Sequence, residues 1–368
     1  MTTLTGSRSL TLVRKQIDQP IDFLALWEKS SHYQKSYWAI PDEGLEFIAL
    51  GSALHFRTQE RRNRFDSVRE SMGDLQFDLV GEPGPDLSAG ILVGGFSFSD
   101  REIERHPDWN IFGGGELVLP EIFVVRCNGS TWITHVDKAE LPDLSPELKQ
   151  HLGHVSNVDH RNDKAYLQLV ARALEEIHNG NMDKVVTARS LSLPANLNSA
   201  ALLQRLKVRH PSCATFAIAR GDQVFLGSSP ETLVKMNGNQ VKTAALAGSR
   251  PRHEHPGADA RLRAELLASP KERNEHDIVI KDITESLTNA GVRLDSLSPT
   301  GVMKLRRIQH LHTPISGLVP DATDILDLVR ALHPTPAVAG LPRQTAQDWI
   351  DENESMDRGW YAAPVGWR

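Results

Sequence analysis

Lys184 stands at the head of the apolar run Val185-Val186-Thr187-Ala188. Glu231 follows Pro230, just after Gly227-Ser228-Ser229. Glu275 lies one helical turn before Val279, in line with apolar neighbours. A carboxylate in such a place needs a partner or a cation once it is buried. Ala247-Gly248-Ser249 ends an apolar run with small residues, as a backbone approaching a ligand would. Each position also has an ordinary reading. Lys184 fits a surface lysine at a strand start, and Glu231 fits a solvated turn carboxylate. His253-Glu254-His255 and His310-Leu311-His312 invite a metal, but neither has a standard zinc spacing, so they read as loop or packing histidines. The sequence contains no G-x-S-x-G elbow, no G-x-x-x-x-G-K-[ST] loop and no H-E-x-x-H helix.

The chain that must position these groups has 368 residues, 41 of them Lys or Arg and 47 Asp or Glu, for a net charge of −6. That length suits about two domains of ~150 residues or one large fused architecture. With 40% hydrophobic and 24% charged residues the composition is that of a globular protein. The acidic excess argues against nucleic acid as the main partner and against a polybasic membrane surface. Two cysteines, Cys127 and Cys213, build no disulfide framework, and a reduced, cytoplasmic setting is expected. The N-terminal residues carry no signal-peptide core, and no apolar run reaches the ~18 residues of a spanning helix.

Residues 1–150 read as strands and loops. Phe47–Gly51 and Gly90–Phe96 are short apolar runs bounded by glycine. Ile122–Cys127 and Thr131–Thr134 flank Asn128-Gly129 and predict a hairpin. A polar segment from Asp137 to Asp163 reads as a connection to residues 151–368, which carry the distinctive stretches. Leu167, Val170, Ala171, Leu174 and Ile177 predict a helix with one apolar stripe, stopped by Asn179-Gly180. Val185–Arg189 reads as a strand. Glycine-bearing turns from Thr215 to Leu246 predict an antiparallel meander, and a second helix is expected from about Lys271 to Leu287. The order of elements implies an α+β fold, mostly antiparallel.

In order, these stretches resemble the chorismate-utilising enzymes: isochorismate synthase, salicylate synthase, anthranilate synthase component I and aminodeoxychorismate synthase. The matching blocks are M-D-K-V-V-T-A-R from Met182, G-S-S-P-E-T-L from Gly227 and A-L-A-G-S-R-P-R from Ala245. They continue with L-L-A-S-P-K-E-R-N-E-H-D from Leu266, I-Q-H-L-H-T from Ile308 and L-H-P-T-P-A-V-A-G-L-P-R from Leu332. D-R-G-W-Y-A-A-P-V-G-W from Asp357 completes the set. Residues 1–150 match loosely. The resemblance implies one large chorismate-binding α+β domain, its antiparallel sheets packed as a sandwich with outer helices.

It also implies roles. A lysine at the position of Lys184 marks the family members that use water, so Lys184 is the expected base, which requires a lowered pKa. Glu231 is the expected acid that protonates the leaving C4 hydroxyl, which requires a raised pKa. Glu275 is the expected Mg²⁺ ligand, a hard oxygen donor for a hard cation. Gly248, Ser249, His310, Ala337, Val338 and Tyr361 match substrate-lining positions. The implied reaction is Mg²⁺-dependent conversion of chorismate to isochorismate, by water addition at C2 and loss of the C4 hydroxyl. No glutamine amidotransferase subunit is expected, and a monomer is. Isochorismate is the shared entry to menaquinone, siderophore and salicylate routes.

Two alternatives stand beside this reading. Salicylate synthase makes the same intermediate and then eliminates pyruvate. A catalytically impaired chorismate-binding remnant is the other. The resemblance places further blocks after Val365-Gly366-Trp367: a strand with a carboxylate-gripping arginine, a G-A-G-I-V strand and an E-x-x-E-x-x-x-K helix. The sequence stops at Arg368, so the expectation is that this C-terminal segment is missing, leaving a metal under-ligated and a sheet edge open.

Overall fold

A computed structural model describes residues 10–102, 106–144, 153–155, 164–193 and 195–368. Much of the connection expected between Asp137 and Asp163 lies outside the described residues. Largely apolar strands from residues 10–136 and 214–229 pair in an eight-stranded sheet. Its order is Gln223–Ser229, Ala214–Arg220, Gln34–Ile40, Leu45–Leu50, Ile122–Cys127, Ser130–Val136, Leu10–Ile17 and Phe77–Gly81. Neighbours run antiparallel except at one edge, where Leu10–Ile17 and Phe77–Gly81 are parallel. The Asn128-Gly129 hairpin is formed, with φ of 51° and 77° at its two turn residues, the geometry for which glycine and asparagine are suited.

One face of this sheet buries Tyr37, Ile48, Val124 and Ala217 against the helices Phe23–Lys29 and Ser199–Arg209. The other buries Phe47, Phe123, Val125 and Trp132 against Val93 of a second sheet. That sheet runs Val365–Trp367, Val93–Phe96, Gly115–Leu119 and Leu54–Thr58. The two form the expected sandwich.

A third sheet carries the motifs. The long strands Gln240–Pro251 and Ile308–Leu318 pair antiparallel at its centre. Lys235–Asn237 flanks the first, and Arg293–Leu294 and Gly301–Lys304 pair with the second. Across it lies the helix Pro270–Asn289, started by Pro270 and by Ser269, whose side chain accepts from the Glu272 amide. Val279, Ile283 and Leu287 bury against Val241, Ala245 and Ile315, each such side chain contributing about 1.5–3 kcal/mol to docking.

Three expectations change. The helix Lys164–His178 forms, but its buried stripe is Leu169 and Ala173 with Tyr166 and Ile177 beside them, while Leu167 and Leu174 are 62% and 60% exposed. Both stripes satisfy a helical period; the docking partners Phe98 and Trp349, distant in sequence, select one. The strand expected over Val185–Arg189 is only Lys184–Val185, because its partner Gly340–Leu341 is equally short. Ala247-Gly248-Ser249 does not end a strand but makes a bulge inside one, between register positions Ala247 and Ser249. Among the described residues, no helix is long and apolar enough to cross a membrane.

Candidate active site

The helix Pro270–Asn289 brings the candidate residues together through its first two turns. Glu272 and Glu275 lie one turn apart on it and reach two different strands. Lys184 comes from the short strand paired to Gly340–Leu341, and neighbouring backbone bonds from Asp183 to Leu341 and Val186 to Ala339 fix its root. Glycine at 340 is required there, because a Cβ would collide with the Lys184 carbonyl oxygen. From this root Lys184 Nζ reaches Glu275 Oε1 at 3.1 Å. The lysine side chain is 13% exposed and the glutamate 36%.

Glu231 sits where the chain leaves the eight-stranded sheet after Ser229 and enters the third sheet at Lys235. Its backbone amide donates to Ser229 Oγ at 3.2 Å. The residue is exposed to solvent, yet its carboxyl stands among many protein atoms. That burial pushes its pKa up to about 7, against the pull of the Lys184 charge. The Lys184 charge thus acts on both glutamates, which places the three groups at one site.

Gly248 and Ser249 approach the same helix from the central strand pair. Gly248 has φ +74°, a left-handed value, and a Cβ there would stand 3.0 Å from the Glu272 carbonyl oxygen. The bulge turns the Ser249 amide onto Glu272 Oε2 at 2.9 Å, while Arg250 donates to Glu272 Oε1 at 2.9 Å. Burial raises the Glu272 pKa, but these donors outweigh it and hold the carboxyl below its ordinary value. Ser249 Oγ and His310 Nδ1 are 2.8 Å apart across the central strand pair. Burial lowers the His310 pKa, favouring a neutral ring.

Ala337 packs toward the core under the Pro270–Asn289 helix, and Val338 toward the Phe98 and Trp349 cluster. The buried Arg358, paired to Glu354, donates to the carbonyls of Val338 and Val186 and so ties this segment to the Lys184 strand. Tyr361 is 50% exposed, and among the described residues no hydrogen bond joins its ring to the other candidates.

Glu275 is not on the buried stripe as expected; the buried carboxylate of this helix is Glu272, which shares a face with His276, Val279, Ile283 and Leu287. That five-residue spacing is visible in the sequence and is the missed indication. His276, buried beneath the bulge, meets Thr313 Oγ1 at 2.8 Å through Nε2. For a cation, Glu275 offers a half-exposed oxygen donor, and among the described residues no group of three His, Cys, Asp or Glu could share a metal. One carboxylate fits Mg²⁺ when waters and substrate oxygens complete the shell.

A family model of chorismate binding enzymes matches residues 3–368, nearly the whole chain and every block around this site. The chain belongs to the chorismate binding enzyme family. This chorismate binding enzyme is 35% identical over 353 residues to a salicylate biosynthesis isochorismate synthase from Pseudomonas aeruginosa, covering 90% of this chain and 72% of that protein. It is 31% identical to isochorismate synthase MenF from Bacillus subtilis, covering 95% of this chain and 79% of that protein. The structure of the menaquinone-specific isochorismate synthase MenF from Escherichia coli superposes with a TM-score of 0.80 at 25% identity, covering 98% of this chain and 82% of that one.

Proposed function

We propose that this protein is an isochorismate synthase, converting chorismate to isochorismate with water as nucleophile. The observation that carries the reading is the joining of Lys184 to Glu275 at 3.1 Å, beside a Glu231 whose pKa rises to about 7. The names of the relatives from Pseudomonas aeruginosa, Bacillus subtilis and Escherichia coli support the same reaction.

In this reading Lys184 is the base that takes a proton from water as the oxygen bonds to C2 of the ring. The ring double bonds shift and the C4–oxygen bond breaks. Glu231 gives its proton to that departing hydroxyl, which leaves as water, so one water enters and one leaves. A carboxyl near 7 still holds its proton in a large fraction of molecules at neutral pH, which an ordinary glutamate does not. The Ser249 amide is committed to Glu272, so the hydrogen-bonded pair of the Ser249 hydroxyl and His310 is the polar group that would orient substrate there. Mg²⁺ on Glu275 would supply positive charge for a substrate carboxylate.

The test is incubation of the full chain with chorismate and Mg²⁺, with products separated by chromatography. Isochorismate without pyruvate is expected. Sustained pyruvate release in the absence of a lyase would replace this reading with salicylate synthase. Chorismate bound but unchanged would point to a catalytically impaired binding protein.

A further inference from the structure

The oxygen expected to take the cation already carries a positive partner. Lys184 Nζ lies 3.1 Å from Glu275 Oε1. Both roots are held: Lys184 by its pairing with Leu341, Glu275 by the second turn of a twenty-residue helix. The ammonium therefore reaches Glu275 by design of the backbone, not by chance of a loose surface chain. The neighbouring acid on that helix, Glu272, is taken up by the Ser249 amide and Arg250 and is not free to share a cation. Among the described residues no cluster of three metal-ligating side chains lies elsewhere.

A divalent ion on either Glu275 oxygen would stand within a few ångströms of the ammonium. Like charges at that separation repel even in water, and more strongly in a half-closed site. We infer that Lys184 is the resident counter-ion of Glu275 and competes with a divalent cation for it, so that cation binding displaces the lysine toward the space beside Glu231. The inference rests on Glu275 as the cation's carboxylate in the proposed function. It gives Lys184 a second role, as the group that keeps substrate-free protein from holding the cation tightly. Substrate carboxylates would then supply the oxygen donors that tip the competition.

The experiment measures Mn²⁺ binding to the full chain without substrate, by the electron paramagnetic resonance of free Mn²⁺, with Mg²⁺ as competitor. Lys184→Met and Lys184→Gln should each bind tighter, by up to about fivefold, the size of a partly exposed ion pair. Lys184→Arg keeps the charge and should bind as weakly as the parent. Glu275→Gln should lose the site in every background. Equal or weaker binding in both neutral variants would overturn the inference, as would absence of Mn²⁺ binding in all of them. Chorismate turnover is followed separately. Tighter Mn²⁺ binding with no isochorismate from the parent would sink the proposed function and leave the competition standing. An active parent whose neutral variants show unchanged Mn²⁺ affinity would sink the competition alone.

Discussion

Glu116 and Glu231 both face a cation, and they end in opposite states. Glu116, on the strand Gly115–Leu119, is fully buried between the eight- and four-stranded sheets. Arg220 donates to its Oε1 through both Nε and Nη2, and His55 Nε2 meets its Oε2 at 2.8 Å. Burial pushes its pKa up, yet these partners outweigh it and hold the carboxyl below its ordinary value. Glu231 keeps solvent contact, and no donor reaches its carboxylate among the described residues. Crowding by protein therefore prevails over the Lys184 charge, and its pKa climbs to about 7. Hydrogen-bond donors, more than burial, separate a carboxylate that holds sheets together from one poised to give up a proton.

The sharpest way to break this contrast is at the site's cation. Lys184→Gln should lower chorismate turnover by about 10²–10⁴-fold, the usual contribution of a general base. Its unfolding free energy should fall by less than about 1 kcal/mol, since the Lys184–Glu275 pair is partly exposed. A large stability loss in denaturant titration would make that pair structural, like its counterpart at Glu116. At Glu116 the reverse pattern is expected. Glu116→Gln leaves the buried Arg220 guanidinium without its anion and should cost about 3–5 kcal/mol in urea unfolding, with turnover per folded molecule little changed. A cost below about 1 kcal/mol would remove the distinction from the other side.

The smallest effect concerns pH. The folded pKa of Glu231, about 7, lies above its ordinary 4.5, so the native state binds this proton more tightly than the unfolded chain does. The resulting stabilisation is complete below about 4.5 and is lost as pH rises through about 7. Glu231→Gln cannot titrate, so its melting temperature should decline less between pH 5 and 8 than that of the parent. Parallel declines would mean that the carboxyl is not raised. The same titration predicts that parent turnover falls above about pH 7 as the acid loses its proton.

How much of this was legible beforehand differs from residue to residue. The turn at Asn128-Gly129 and the helix stop at Gly180 rest on local backbone preferences and form as expected. The meander expected from Thr215 to Leu246 instead splits into two hairpins in two different sheets, because strand pairing across the Ser229–Lys235 passage is a tertiary choice. The apolar face of Lys164–His178 was misread, since two stripes fit the same period and only Phe98 and Trp349 choose between them. Glu272 was overlooked for a related reason. In Ser269-Pro270-Lys271-Glu272 it stands where a glutamate commonly caps its own helix, but it turns instead to a bulge twenty-three residues earlier.

By itself, the sequence determined the family, through ordered blocks of residues, and the local punctuation of its strands and helices. It also named Lys184, Glu231 and Glu275 as candidates. Tertiary structure alone decided what they are to one another. Lys184 and Glu275 are ninety-one residues apart in the chain and 3.1 Å apart in space. Glu231 owes its raised pKa to protein that crowds round the passage between two sheets. Charge and proton affinity depend on what lies within a few ångströms, and in a folded chain those neighbours are set by packing, not by position in the sequence.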